Sequence, residues 1–253
     1  METVSVTLNE ERNVSLTAYL QPVGGEFWGI EKRPAMIVLP GGGYMYCSAR
    51  EADPIAFVYL QAGYQVFILR YSLGENCTWS NPLDDYEQAY KLIQDNSEEW
   101  HVDMSKIAVI GFSAGGHLAA ATATMSKYRP QACILGYPVI VKETADVYCP
   151  TAPDIIAAVD EKTSPCFIFS SRTDGTVPPE NTIQLLDALY KHNVPFEAHI
   201  YGYANHGFST CEPCLQNTDW ICSRTKNWVK DSLEWLGDTI GVLRVGDPDW
   251  MKN

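Results

Sequence analysis

The sequence predicts an α/β fold, a single domain over residues 1–253 built on a mostly parallel, twisted sheet of about eight strands with helices on both faces. Three observations predict it. Short apolar runs alternate with segments of helical period along the chain, the pattern of strands joined by crossover helices. One such run, Lys106-Ile107-Ala108-Val109-Ile110, leads through Gly111-Phe112-Ser113-Ala114-Gly115-Gly116-His117 into the helical stretch 118–123. The length of 253 residues suits one α/β domain with a substantial core.

In chain order, residues 4–8 and 14–20 read as a hairpin around Asn9-Glu10-Glu11. Ala35-Met36-Ile37-Val38-Leu39 is a buried strand. Ser48-Ala49-Arg50-Glu51 has the form of a capping box, and so predicts a helix running from there to near Gly63, with Arg50 structural. Residues 65–70 are the next strand. Asn81-Pro82 supplies a cap and a first-turn proline for a helix whose buried stripe is Leu83, Tyr86, Tyr90 and Ile93. Strands at 132–135 and 166–170 bracket residues 138–163, where a short lid insertion is expected. A helix over 180–191, a strand over 196–201 and a final packing helix marked by Trp228, Val229, Ser232, Leu233 and Leu236 complete the chain.

The turn around Ser113 carries the chemistry. A strand that bends sharply into a helix at Gly-x-Ser-x-Gly lifts the serine hydroxyl above the sheet edge and aims the positive end of the helix at it. Ser113 is therefore the candidate nucleophile. A base and an orienting acid should follow it in the order acid, then histidine. The chain has five histidines, and only His206 falls in a loop just past a strand end and after Ser113. Asp174, in the loop after strand 166–170, is the candidate acid, with Asp154, Asp160 and Glu180 as weaker substitutes. Pro40-Gly41-Gly42-Gly43-Tyr44 follows the strand 35–39, and the amides of Gly42, Gly43 and Ala114 are candidate oxyanion donors. Tyr44, Tyr46, Trp79, Tyr203 and Phe208 fall on loops expected around the site, where they either stack on a sugar ring or pack the rim.

Composition limits the partners. A formal net charge of −13 disfavours nucleic acid and anionic membranes. No stretch approaches the roughly 20 apolar residues of a membrane span. The N-terminal Met1-Glu2-Thr3-Val4-Ser5 has neither a basic segment nor an apolar core, so a cytoplasmic protein is expected. Of eight cysteines, Cys133 and Cys166 lie in apolar strands. Cys211, Cys214 and Cys222 have no second Cys-x-x-Cys to complete a zinc site, so free thiols and no metal are expected. A homo-oligomer is compatible with the sequence.

These motifs together resemble the α/β-hydrolases of the esterase/lipase superfamily. More narrowly, the chain is similar to bacterial acetyl esterase and acetylxylan esterase-like sugar hydrolases. The resemblance rests on the segments 39–44, 48–51, 62–67 with 70–72, 109–118, 174–178 and 205–208. It implies an α/β-hydrolase fold and the roles of nucleophile, acid and base for Ser113, Asp174 and His206. It also implies oxyanion donation from Gly42, Gly43 and Ala114, a small ester substrate such as an acetylated sugar, and no cofactor. The chain departs from hormone-sensitive-lipase-like esterases at Pro40, where they carry histidine, and in the cysteine-rich loop after His206. A serine peptidase of prolyl-oligopeptidase type and a non-catalytic binding protein on the same fold remain as alternatives.

Overall fold

The computed structural model describes residues 1–247, so residues 248–253 of the expected domain lie outside the described residues. Its strands are β1 (Glu2–Asn9), β2 (Val14–Leu20), β3 (Arg33–Leu39), β4 (Gln65–Arg70), β5 (Val102–Phe112), β6 (Ala132–Gly136), β7 (Cys166–Ser171) and β8 (Phe196–Tyr201). They form one sheet in the order β1-β2-β4-β3-β5-β6-β7-β8. β1 and β2 form the expected hairpin and β2 meets β4 antiparallel, while every pair from β4 to β8 is parallel.

The helices are α1 (Asp53–Gln61), α2 (Asn81–Asp95), α3 (Ser113–Met125), α4 (Lys142–Tyr148), α5 (Ile155–Ala158), α6 (Glu180–Lys191) and α7 (Trp228–Ile240). Strands covered on both faces are apolar at consecutive positions because neither side meets water. In β3, Ala35, Ile37 and Leu39 face a core shared with α2, α3 and α6, while Met36 and Val38 face a second core under α1 and α7. Ile107 and Val109 of β5 divide from Ala108, Ile110 and Phe112 in the same way. Among the described residues no helix is long and apolar enough to cross a membrane.

Two local expectations are corrected. Ser48 makes no side-chain cap: residues Ala49–Glu51 form a single 3₁₀ turn, α1 starts only at Asp53 with Pro54 in its first turn, and the Glu51 side chain turns inward. Asn81 is the first helical residue of α2 rather than its cap, and its amide donates to the Asn76 carbonyl at 3.1 Å. The stripe Leu83, Tyr86, Tyr90 and Ile93 is buried as expected. Residues 138–163 carry α4 and α5 between β6 and β7. Asn181 of α6 anchors the start of that segment, its Oδ1 accepting the amides of Ile140 and Val141 at 2.8 and 2.9 Å.

Parallel strands share a direction, so the C-terminal ends of β3, β5, β6, β7 and β8 lie along one edge of the sheet. Open α/β sheets place their sites at that edge. The loops beginning at Pro40, Tyr137, Arg172 and Gly202, and helix α3 beginning at Ser113, all start there.

Candidate active site

Ser113 turns the chain from β5 into α3 with φ of 52°, left-handed backbone that costs a non-glycine residue energy. Its glycine neighbours make room for the turn. A Cβ on Gly111 would strike the Gly115 carbonyl, and one on Gly115 would strike the carbonyl oxygens of Leu39 and Pro40. The start of α3 is thereby pressed directly against the end of β3, which sets the glycine loop beside Ser113. Only 8% of Ser113 is exposed.

His206 and Asp174 meet Ser113 from two other strand ends. His206 Nε2 lies 2.8 Å from Ser113 Oγ, and His206 Nδ1 lies 2.6 Å from Asp174 Oδ2. A carboxylate only accepts, so Nδ1 carries the proton and Nε2 keeps a lone pair for the serine hydroxyl. The second oxygen of Asp174 accepts the amides of Thr176 and Val177, each at 2.9 Å. The Asp174 side chain has no exposed surface, and the three donors satisfy its buried charge. The Tyr137 ring stands edge-on to the imidazole, centroids 5.0 Å apart at 70°.

The loop after β3 turns its carbonyls away from the serine. Gly41 O accepts the Ser48 amide at 2.8 Å, and Gly42 O accepts the Met45 amide at 3.0 Å. Gly42 and Gly43 have φ of 129° and 61°, and among the described residues no hydrogen bond takes up their N–H groups. The Ala114 amide belongs to the open first turn of α3, where no carbonyl four residues earlier is in helical position. These unpaired amides sit on the two segments that meet where Gly41 closes on Ser113, and unpaired amides are the donors an oxyanion needs.

The loop aromatics divide. Tyr44 and Phe208 do not line the rim: each is at most 1% exposed. Tyr44 folds back beneath the loop to reach His117, and Phe208 packs against Tyr137 with centroids 4.7 Å apart. Tyr44 is drawn under the loop by its hydrogen bond to His117 and its packing on Tyr71, and Phe208 by aromatic packing. Tyr203 is half exposed, Tyr46 is exposed, and Trp79 is partly buried with its edge against His117. Sequence reasoning missed Tyr148, which α4 sets beside Gly43, and Glu51, whose carboxylate accepts the Gly41 amide at 2.9 Å. The local Ser-x-x-Glu spacing concealed Glu51 as a helix cap.

Cys211 and Cys222 are buried and Cys214 is exposed. Burial pushes the Cys211 thiol up to about 12, and the Cys222 amide donates to the Tyr203 carbonyl at 2.9 Å, so this segment backs the rim. Among the described residues no group of three or more His, Cys, Asp or Glu side chains is placed to hold a metal ion.

Known proteins share this arrangement of elements. The BD-FAE family model matches residues 29–151, and the model of the prolyl oligopeptidase family matches residues 151–236. The structure is similar to that of MGS-M1, an alpha/beta hydrolase enzyme from a Medee basin deep-sea metagenome library. That similarity has 39% identity and a TM-score of 0.88, and covers 96% of this chain and 99% of the other. It is also similar to the acetyl ester-xyloside bifunctional hydrolase from Caldicellulosiruptor lactoaceticus, with 25% identity and a TM-score of 0.81 over 95% of this chain and 97% of that one. An acetylxylan esterase of Xylanibacter ruminicola is 28% identical over 84% of this chain and 48% of its own length. The chain spans less than half the length of the first curated relatives it matches. A relative of 39% identity matched along nearly its whole length establishes the family: this chain belongs to the α/β-hydrolases.

Proposed function

We propose that this chain is a serine carboxylic-ester hydrolase that removes short acyl groups, acetyl foremost, from a sugar or xylo-oligosaccharide. The observation that carries the reading is the unbroken hydrogen-bonded run from Asp174 through His206 to Ser113. His206 takes the proton of Ser113 as the hydroxyl attacks the ester carbonyl. Asp174 holds the imidazole in the needed tautomer and stabilises the imidazolium. The amides of Gly42, Gly43 and Ala114 receive the oxyanion. His206 then returns the proton to the departing alcohol, and water activated by the same histidine releases the acid. Each step uses only groups of this chain and water.

The acyl and alcohol preferences rest on kinship and shape. Relatives described as an acetylxylan esterase and an acetyl ester-xyloside hydrolase support acetylated xylosides as substrates. Two short helices over the rim, rather than a large cap, suit a small acyl group. Tyr203 and Trp79 are the aromatic surfaces offered to a sugar ring. Acetate release from acetylated xylo-oligosaccharides by the wild type, absent in Ser113→Ala, is the expected result. The match of residues 151–236 to the prolyl oligopeptidase family favours a peptidase as the second reading. Faster cleavage of a dipeptidyl arylamide than of any acetyl ester would put that reading first.

A further inference from the structure

Glu51 is 3% exposed, and both its carboxylate oxygens are engaged by backbone or side chains of the site. Oε2 accepts the Gly41 amide at 2.9 Å, and Oε1 accepts the Tyr137 hydroxyl at 2.6 Å. The direction of the second bond is fixed, because Tyr137 Oη itself accepts the Ser209 amide at 3.2 Å and so gives its own proton to Glu51. Gly41 is the second residue of the loop after β3, Tyr137 is the first residue after β6, and Ser209 lies three residues beyond His206. Two loops therefore meet the carboxylate directly, and the loop bearing His206 reaches it through Tyr137.

The approach is close. A Cβ on Gly41 would lie 2.7 Å from Glu51 Oε2 and 3.0 Å from Ser113 Cβ, so only a glycine leaves room between the carboxylate and the nucleophile. A Cβ on Gly207 would stand 3.9 Å from Oε1, which puts the His206 loop on the other flank. Tyr137 and Ser209 hold φ of 35° and 44°, strained backbone at both ends of the relay.

A buried carboxylate is costly unless its lone pairs are met, and an apolar side chain would fill such a space at less cost. Glu51 caps no helix and makes no ion pair among the described residues. Burial raises its pKa, opposed by the Tyr137 and Gly41 donors and the nearby His206 and Arg50. One of its bonds ends on the loop bearing Gly42 and Gly43, the other on Tyr137, whose ring stands against His206.

We propose that Glu51 is a positioning residue for oxyanion binding: its carboxylate pins Gly41, and so the Gly42 and Gly43 amides, while the Tyr137–Ser209 relay ties that loop to the one bearing His206. The proposal rests on the ester-hydrolase reading. Glutamine keeps the size of Glu51 but puts a donor where one carboxylate oxygen accepted: with its oxygen toward Gly41 the Tyr137 hydroxyl loses its acceptor, and with its oxygen toward Tyr137 two N–H groups meet at Gly41.

The test uses the whole chain and p-nitrophenyl acetate, with Ser113→Ala as the reference. In Glu51→Gln, kcat should fall by at least about ten-fold with KM within about two-fold, since oxyanion contacts act on the transition state. Affinity for an alkyl boronic acid, which forms a tetrahedral adduct on the serine, should fall in parallel with kcat/KM. Tyr137→Phe, which keeps the ring and the Gly41 bond but removes both hydrogen bonds of the Tyr137 hydroxyl, should move both readouts in the same direction by less. A folded Glu51→Gln with kcat and boronate affinity unchanged overturns the proposal. So does a loss confined to KM. If Glu51→Gln does not fold, Tyr137→Phe decides alone, and unchanged kcat and boronate affinity there overturn it. A wild type without Ser113-dependent ester hydrolysis instead fails the underlying reading, and the proposal with it.

Discussion

The hydroxyl of Tyr44 donates to Nδ1 of His117 at 2.8 Å, joining the glycine loop to the first turn of α3. The direction follows from the other ring nitrogen: Nε2 faces the Pro153 carbonyl at 3.3 Å, which only accepts, so Nε2 carries the proton. Through a neutral imidazole, the loop after β3, the helix after Ser113 and the segment before α5 are held together.

That neutrality has a pH signature. Burial lowers the His117 pKa to about 4. The unfolded chain takes up a proton near its ordinary value of about 6.5, while the folded one refuses it until about 4. Stability is therefore lost as pH falls through that window. From about pH 7 to pH 5 the loss attributable to His117 is about 2 kcal/mol. Urea denaturation of the wild type and His117→Gln at both pH values should show the wild type losing that much more. Equal pH dependence in the two proteins would contradict the account.

Asp174→Asn should fold normally but lose activity. An amide can donate to Nδ1, which turns the proton of His206 toward Ser113 and removes the base. A fall in kcat of about 10³- to 10⁴-fold is expected, with KM little changed. Kinetics on p-nitrophenyl acetate measure it. A loss under ten-fold would point to another acid.

How much of this was legible in the sequence depends on how local each cause is. The strands around Ile37, Val109 and Ile168 announce themselves because both faces are buried, which leaves an unbroken apolar run. The turn at Ser113 is legible because its pattern spans only five residues, from Gly111 to Gly115, although the carbonyls that require Gly115 belong to Leu39 and Pro40. Asp174 and His206 follow from chain order and loop position, and the geometry brings them to Ser113. Glu51 was not legible. Ser-x-x-Glu spacing describes a local cap, and the donors that draw the carboxylate inward, Gly41 and Tyr137, are 10 and 86 residues away. Tyr44 and Phe208 failed for the same reason, since the direction of a loop side chain is set by distant partners such as His117 and Tyr137.

A crowded glycine of the turn around Ser113 and an open one in the loop after β7 make a paired prediction. Gly115→Ala places a methyl against the backbone carbonyls of Leu39 and Pro40, which cannot rotate aside. It should cost about 3 kcal/mol or more and abolish activity, because relief requires moving β3 away from Ser113. Gly175→Ala, which would meet nothing within 4 Å, should change stability by less than about 1 kcal/mol. Thermal denaturation of both variants tests the contrast, and similar destabilisation in the two would refute it.

Asp85 is a structural counterpart that makes no bond to Ser113, His206 or Asp174. It has no exposed surface and accepts from Ser72 N and Ser72 Oγ at 2.7 and 2.5 Å, and from Arg12 Nη2 at 2.5 Å. Removing it strands a buried amide and a guanidinium that is only 21% exposed. Asp85→Ala should cost about 3–5 kcal/mol. At temperatures where the variant is folded, its KM should match the wild type. Chemical denaturation beside the kinetics checks both parts, and a loss below about 1 kcal/mol would show that the network does not hold β2's hairpin to α2.

The most direct test of the central claim is hydrolysis of p-nitrophenyl acetate, butyrate and octanoate by the wild type and by Ser113→Ala. The account predicts activity that is highest on acetate, falls with chain length and disappears in the variant. No ester hydrolysis by the wild type, or equal rates in the two proteins, would contradict it.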